Sequence, residues 1–203
     1  MAIIEQIQTE QIDLRVIDPT DGPEMLVHVL YGVPDVVVVS VQPGPIHPLR
    51  LCREVADRSP ISRVLVQAAP DQAAHSYQAL RVGAWGCLDP DAGPAELHDA
   101  AEAAARGEAL LPARHAAWVL RELEDSGTSA PGSPPTADQL TAAERTVLHL
   151  LAEGAHPDTI ADHLGVSRRV IGRHAGSALA RLHRRYRPRS EAAAGASLTV
   201  TLP

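Results

Sequence analysis

The chain has no lysine and no phenylalanine, so all 18 basic residues are arginines and the core must be built from valine, leucine, isoleucine and alanine. Its two cysteines, Cys52 and Cys87, fit no metal-ligand spacing and are too few for a disulfide framework, so buried free thiols are expected. No apolar run is long enough to cross a membrane, and the N-terminus lacks a basic-then-apolar signal pattern; the sequence reads as cytoplasmic. The 10 histidines are scattered without ligand spacing, and Ser40 has no evident His–acid partnership. No metal, no cofactor and no catalytic residue is expected, so the chain does not read as an enzyme.

What is present is organised in two halves. At 203 residues the chain can hold one large or two modest domains, and a hydrophobic content of 45% suits a globular protein. The net charge of −7 is unevenly spread: residues 1–136 carry 19 acids against 9 arginines, whereas residues 137–190 carry 5 acids against 9 arginines. A polyanion is steered to the second half and repelled by the first. Residues 125–137, rich in Ser, Gly and Pro and without periodicity, read as a semi-flexible linker.

Upstream of the linker, strand and helix patterns alternate. Residues 12–17, 35–41, 61–67 and 86–88 read as strands; 35–41 (DVVVVSV) is a nearly continuous β-branched run, as in a strand covered on both faces. Residues 24–31, 48–58, 72–82, 94–105 and 111–124 read as helices, with Pro94 in a first turn and Gly107 beyond a helix end. This alternation implies a parallel α/β sheet with right-handed crossovers.

Residues 140–182 carry the strongest functional signal. Apolar residues recur at helical spacing at Val147, Leu148, Leu150 and Leu151, then at Ile160, Ala161 and Leu164, then at Val170, Ile171, Leu179 and Leu182. Breaks fall at 154–157 and 165–167. Three short helices with a tight turn before an Arg-bearing third is the layout of a helix-turn-helix, which makes duplex DNA the expected partner. Thr141 with Glu144 three residues on predicts a capping box, and Ser167 is expected to cap the third helix near a phosphate. Arg168, Arg169 and Arg173 are expected to project outward from that helix, where guanidinium groups bind phosphate or fork onto guanine. Arg184 and Arg185, within a basic run from Arg181 to Arg189, are expected to add sequence-independent phosphate contacts.

Several of these segments resemble one family. The run from Val64 to Leu111, above all Arg81-Val-Gly-Ala-Trp-Gly-Cys-Leu88, resembles the second half of the receiver domain of NarL/FixJ-type response regulators, and residues 140–182 resemble their LuxR-type DNA-binding domain. The resemblance implies a flavodoxin-like α/β receiver domain over 1–124, a linker over 125–137, an all-α helix-turn-helix domain over 138–190 and a tail over 191–203. It also implies base-facing positions at Gly172, Arg173 and Gly176, and a phosphate contact or structural role at His174. Glycine at two of these positions removes side-chain contacts and weakens the helix by about 1 kcal/mol each relative to alanine.

The receiver-like half departs from its family where the chemistry lies. Ser40 stands where the phosphorylated Asp belongs, Ala68 replaces the hydroxyl residue and Pro90 the lysine, so the phosphorylation site is degenerate. The first strand and its acidic pair have no counterpart; residues 2–11 align with the first helix, and Asp18 and Asp21 follow the second strand. A sheet lacking that strand would expose a groove, which the alternating residues 197–202 are suited to fill as a β-strand. Pro188 interrupts the family's fourth helix, which shifts the expected homodimer contact upstream. The function implied is a DNA-binding transcriptional regulator controlled without aspartyl phosphorylation, with half-sites about one helical turn apart. The alternative is a protein-interaction or ligand-gated regulator with weak DNA affinity, its receiver-like domain holding a protein partner or small molecule.

Overall fold

The computed structural model describes residues 7–9, 12–17, 31–41, 47–124 and 139–186. One sheet runs in the order β1-β2-β3-β4-β5, formed by Ile7–Thr9, Ile12–Ile17, Val36–Ser40, Arg63–Gln67 and Ala84–Leu88. Strands β2 to β5 are parallel, and β1 is an antiparallel edge. Val36, Val37, Val38 and Val39 are all 0% exposed, with Val37 and Val39 in one apolar cluster and Val36 and Val38 in the other. This period of two across a doubly covered strand is what the valine run predicts, and each valine contributes roughly 1.5–3 kcal/mol by its burial.

Helices cover both faces. Helix α1 (Pro48–Arg58) begins with proline in its first turn and a His47 ring nitrogen that accepts from the Leu49 N–H at 3.3 Å; it buries Leu51, Cys52 and Val55. Helix α2 (Ala73–Val82) packs beside it and ends at Gly83, whose φ of +132° and 2.7 Å clearance to Ala56 Cβ exclude a side chain. Helix α3 (Pro94–Ala105) lays Leu97, Ala100, Ala101 and Ala104 on the opposite face, against Val36, Val38 and Leu65. Both thiols are buried and free, and burial pushes Cys52 and Cys87 up to about 12, so neither is a nucleophile.

Helix α4 (Ala113–Glu124) joins the two halves. Its buried residues Ala116, Val119 and Leu123 belong to a single cluster that runs from Val37 to Leu148 and Leu182. His115 on the same helix is 0% exposed and packs edge-on to Tyr77 at 5.3 Å; burial, aided by the Arg114 charge, lowers its pKa to about 4, so the ring is neutral. Helices α5 (Ala142–Ala152), α6 (Pro157–Leu164) and α7 (Arg168–Tyr186) complete the fold. Gly165 caps α6 in the left-handed region, and the Val166 N–H returns to Ala161 O at 3.0 Å, which makes the tight turn before α7.

Four expectations are corrected. Residues 7–9 form a strand rather than part of a helix, because they pair with β2 across a two-residue connection (Ile7 opposite Leu14, Thr9 opposite Ile12). No slot is vacant beside β3: β2 lies directly against it, Leu14 opposite Val36 and Ile17 opposite Val39. Ile61 is 71% exposed and precedes β4, since hydrogen bonds from the Ser62 N–H to Ser59 O (3.0 Å) and between the two serine hydroxyls (2.7 Å) turn the chain there. Leu164, whose helical spacing with Ile160 and Ala161 predicts burial, is 38% exposed because the Gly165 turn ends the helix face at Ala161. The expected linker over 125–137, the tail strand over 197–202, Asp18 and Asp21 lie outside the described residues, as does the helix over 24–31 except for helical backbone at Tyr31. No helix among the described residues is long and apolar enough to cross a membrane.

Candidate nucleic-acid interface

The C-terminal helices are held together by one buried carboxylate. Thr141 and Glu144 form the expected capping box: the Thr141 N–H donates to Glu144 Oε2 at 2.7 Å and the Glu144 N–H to Thr141 Oγ1 at 3.2 Å. The same carboxylate accepts from Ser177 Oγ at 2.5 Å and from Arg181 Nε at 3.0 and 3.2 Å, so it ties α5 to α7. Burial pushes its pKa up, but hydrogen bonds from Ser177, Thr141 and Arg181 outweigh that and hold the carboxyl below its ordinary value. The capping residue is thus also the bolt between scaffold and third helix, a role that spacing alone does not reveal.

Helix α7 presents its arginines unevenly. Arg173 is exposed and has no partner among the described residues. Arg168 is exposed, with only a long contact of 3.8 Å to Asp158, and Ser167 is exposed just before the helix. His174 is half-buried. Arg169 does not project freely as expected: its Nε lies 3.0 Å from Glu108 Oε1, a carboxylate whose side chain is 9% exposed. Arg185 likewise donates to Glu122 O at 2.9 Å, while Arg184 is exposed near the same end.

The positions implied to face bases are covered in part. The Ala109 N–H donates to Gly172 O at 2.9 Å. A Cβ on Gly172 would fall 2.9 Å from Glu108 Cβ, and one on Gly176 would fall 2.3 Å from Gly107 O and 3.0 Å from Trp85. The two glycines therefore form a seat four residues apart on one helix face, into which the 107–108 loop settles. Their missing side chains, read above as lost DNA contacts, also admit the upstream domain. Further along, His183 bonds Ala84 O at 3.1 Å, and Tyr186 and Arg81 both donate to the Glu122 carboxylate, Arg81 at 2.9 Å to each oxygen. Glu108, Gly107, Trp85 and Glu122 were not legible as site residues; the paired glycines were the available signal.

The three positions expected to form a degenerate phosphorylation site lie together at the carboxyl end of the sheet. Ser40 ends β3 opposite Gln67, Ala68 follows β4 with its N–H on Leu88 O at 3.1 Å, and Pro90 follows β5. These are the carboxyl ends of parallel strands, where α/β sheets hold ligands. Ser40 is half-buried, Ala68 buried and Pro90 exposed, and none offers a carboxylate or a cation. No group of three or more metal-ligating side chains occurs among the described residues.

Residues 138–192 match the family described as bacterial regulatory proteins, luxR family. The chain is 30% identical over 159 residues to the DNA-binding transcriptional activator DevR/DosR of Mycobacterium tuberculosis, covering 78% of this chain and 71% of that protein. The chain belongs to the NarL/FixJ-type response regulators. This regulator is also 28% identical over 154 residues to the transcriptional regulatory protein YxjL of Bacillus subtilis, covering 76% of this chain and 70% of the relative. Among solved structures, RcsB of Salmonella enterica serovar Typhimurium bound to a promoter is 21% identical, with a TM-score of 0.39 over 82% of this chain and 76% of that one. The regulator is thus a DNA-binding transcriptional regulator with a receiver-like α/β half and a LuxR-type helix-turn-helix; its relatives are regulators of transcription, not enzymes.

Proposed function

We propose that this regulator works without aspartyl phosphorylation and switches between a closed form and an open form that grips DNA as a homodimer. The observation that carries the reading is the 107–108 loop seated on Gly172 and Gly176, with Glu108 on Arg169. A helix enters the major groove along one face, and a face under a protein loop cannot do so. In the open form Arg168, Arg169 and Arg173 reach the groove, and Ser167, His174, Arg184 and Arg185 meet the backbone. The domains divide as 1–124, a linker over 125–137 and 138–190.

Ser40, Ala68 and Pro90 support control by other means, because position 40 lacks the carboxylate nucleophile, position 68 the hydroxyl and position 90 the cation that aspartyl-phosphate switching needs. Incubation with acetyl phosphate and Mg²⁺ should leave intact mass and sedimentation unchanged; an acid-labile phosphoryl adduct would refute the reading. Operator DNA should convert the protein to a two-to-one complex by analytical ultracentrifugation.

Arg173 tests the interface itself. It is exposed and has no partner among the described residues, so Arg173→Ala should leave thermal stability unchanged. Loss of a bidentate base contact costs about 1–3 kcal/mol, roughly 5- to 150-fold in specific affinity. Footprinting on a genomic operator measures this directly, and an undiminished footprint would remove α7 as the reading helix. The closed form also bears on the rival interaction-protein reading, since weak DNA affinity is then a property of the closed state and not of the helix.

A further inference from the structure

The junction between the two halves extends to the amino-terminal ends of β4 and β5. There a cavity of about 250 Å³ opens between α1, the starts of β4 and β5, the end of α2 and the last turns of α7. Its wall carries four guanidinium groups, from Arg53, Arg63, Arg81 and Arg184, against one carboxylate, Asp57. Arg81 is already forked onto Glu122, yet its Nε is buried without a hydrogen-bond partner. Arg184 and Asp57 have other interactions. That leaves Arg53 and Arg63, whose guanidinium groups have no anionic partner among the described residues.

Arg63 is the telling member. It is half-buried, with its guanidinium carbon 4.0 Å above the Trp85 ring, and burial lowers its pKa. A cation withdrawn from water without a counter-charge is costly, and a π-face offsets only part of that cost. Such an arrangement persists most readily where an anion completes it. The cavity is smaller than the roughly 300–1,000 Å³ of sites for larger ligands, so the anion is compact. Two unpaired guanidinium groups match two negative charges, and guanidinium forks favour phosphate geometry.

We propose that this cavity binds a small phosphate-bearing anion with two or more negative charges, of the size of a phosphate monoester or inorganic pyrophosphate. Both halves of the regulator line it: Arg53, Arg63 and Trp85 come from the receiver-like half, and His183 and Arg184 from α7. The bound anion bridges them, and by linkage a ligand that binds only the closed form lowers the population able to meet DNA. This last step rests on the closed-form reading; the site itself does not.

Inorganic pyrophosphate is the probe, titrated calorimetrically into the full chain at an ionic strength held constant with sodium chloride. Saturable one-to-one binding is expected, weakened at least 10-fold in Arg53→Gln and in Arg63→Gln and unchanged in Arg121→Gln, an exposed arginine on α4. Arg53 is exposed, so Arg53→Gln folds even if Arg63→Gln does not. Non-saturating heats, or equal binding by Arg53→Gln, would overturn the site. If both variants instead lose DNA affinity while keeping pyrophosphate, the guanidinium groups serve the duplex backbone and the proposal fails. A gel shift with saturating pyrophosphate completes the test: weaker DNA binding supports the bridge, whereas stoichiometric pyrophosphate binding without effect on DNA upholds the site and removes the closed-form link.

Discussion

Gly176→Ala should bind DNA about 10-fold more tightly than the parent protein. The added methyl would fall 2.3 Å from Gly107 O and 3.0 Å from the Trp85 ring, and the first obstacle is backbone, which cannot swing aside as a side chain can. The closed packing must therefore give way. The helix itself gains, because alanine exceeds glycine by about 1 kcal/mol in helix propensity. Affinity is reduced by the fraction of molecules that are binding-competent, so a closed form that holds nine molecules in ten hides about a tenfold factor, which the substitution releases. Small-angle scattering should show a larger radius of gyration alongside the stronger gel shift. Glu108→Gln is the companion variant: it removes the Arg169 ion pair (3.0 Å) without touching the helix. If both variants scatter and bind DNA as the parent does, the loop is not what restrains α7.

The same glycines show where sequence reading stops. Helices α1 and α3 were legible to the residue, since Pro48 and Pro94 mark first turns and the apolar spacing marks the buried faces. The valine run of β3 and the capping box at Thr141 were equally plain, because each is a local rule satisfied within a few residues. Ile61 failed for a local reason too: its β-branched side chain argues strand, but two serines flanking it make a hydrogen-bonded turn that propensity does not register. Residues 7–9 failed because their partner decides them; a three-residue segment becomes a strand only when a neighbouring edge is open to it. Gly172 and Gly176 lie furthest from reach. Within α7 they mark missing side chains, and their meaning is supplied by Gly107 and Glu108, more than sixty residues upstream. Packing between halves is written in shape, and a sequence displays shape only where an expected side chain is absent.

Glu144→Ala should strongly destabilise the C-terminal half. Glu144 is 2% exposed and serves Thr141, Ser177 and Arg181 at once. Removing it opens the cap of α5 and takes the Glu144 charge away from the Arg181 guanidinium, whose side chain is 17% exposed. Breaking a buried charge pair from one side costs about 3–5 kcal/mol, enough to unfold many domains of this size at physiological temperature. Glu144→Gln keeps the shape and loses the charge, so it should cost less, and it isolates the ionic part. The sign of its pH dependence follows from the carboxyl being held below its ordinary value in the folded state. The unfolded chain then takes up the proton first as pH falls. The stabilisation is complete above the unfolded carboxylate pKa of about 4.3 and drains away as pH drops through the lower folded value. Urea melts of parent and Glu144→Gln should accordingly differ most at neutral pH and converge in acid. A gap that stays constant between neutrality and pH values below that range would mean the carboxylate acts through packing alone, and that the bolt between scaffold and reading helix is not electrostatic.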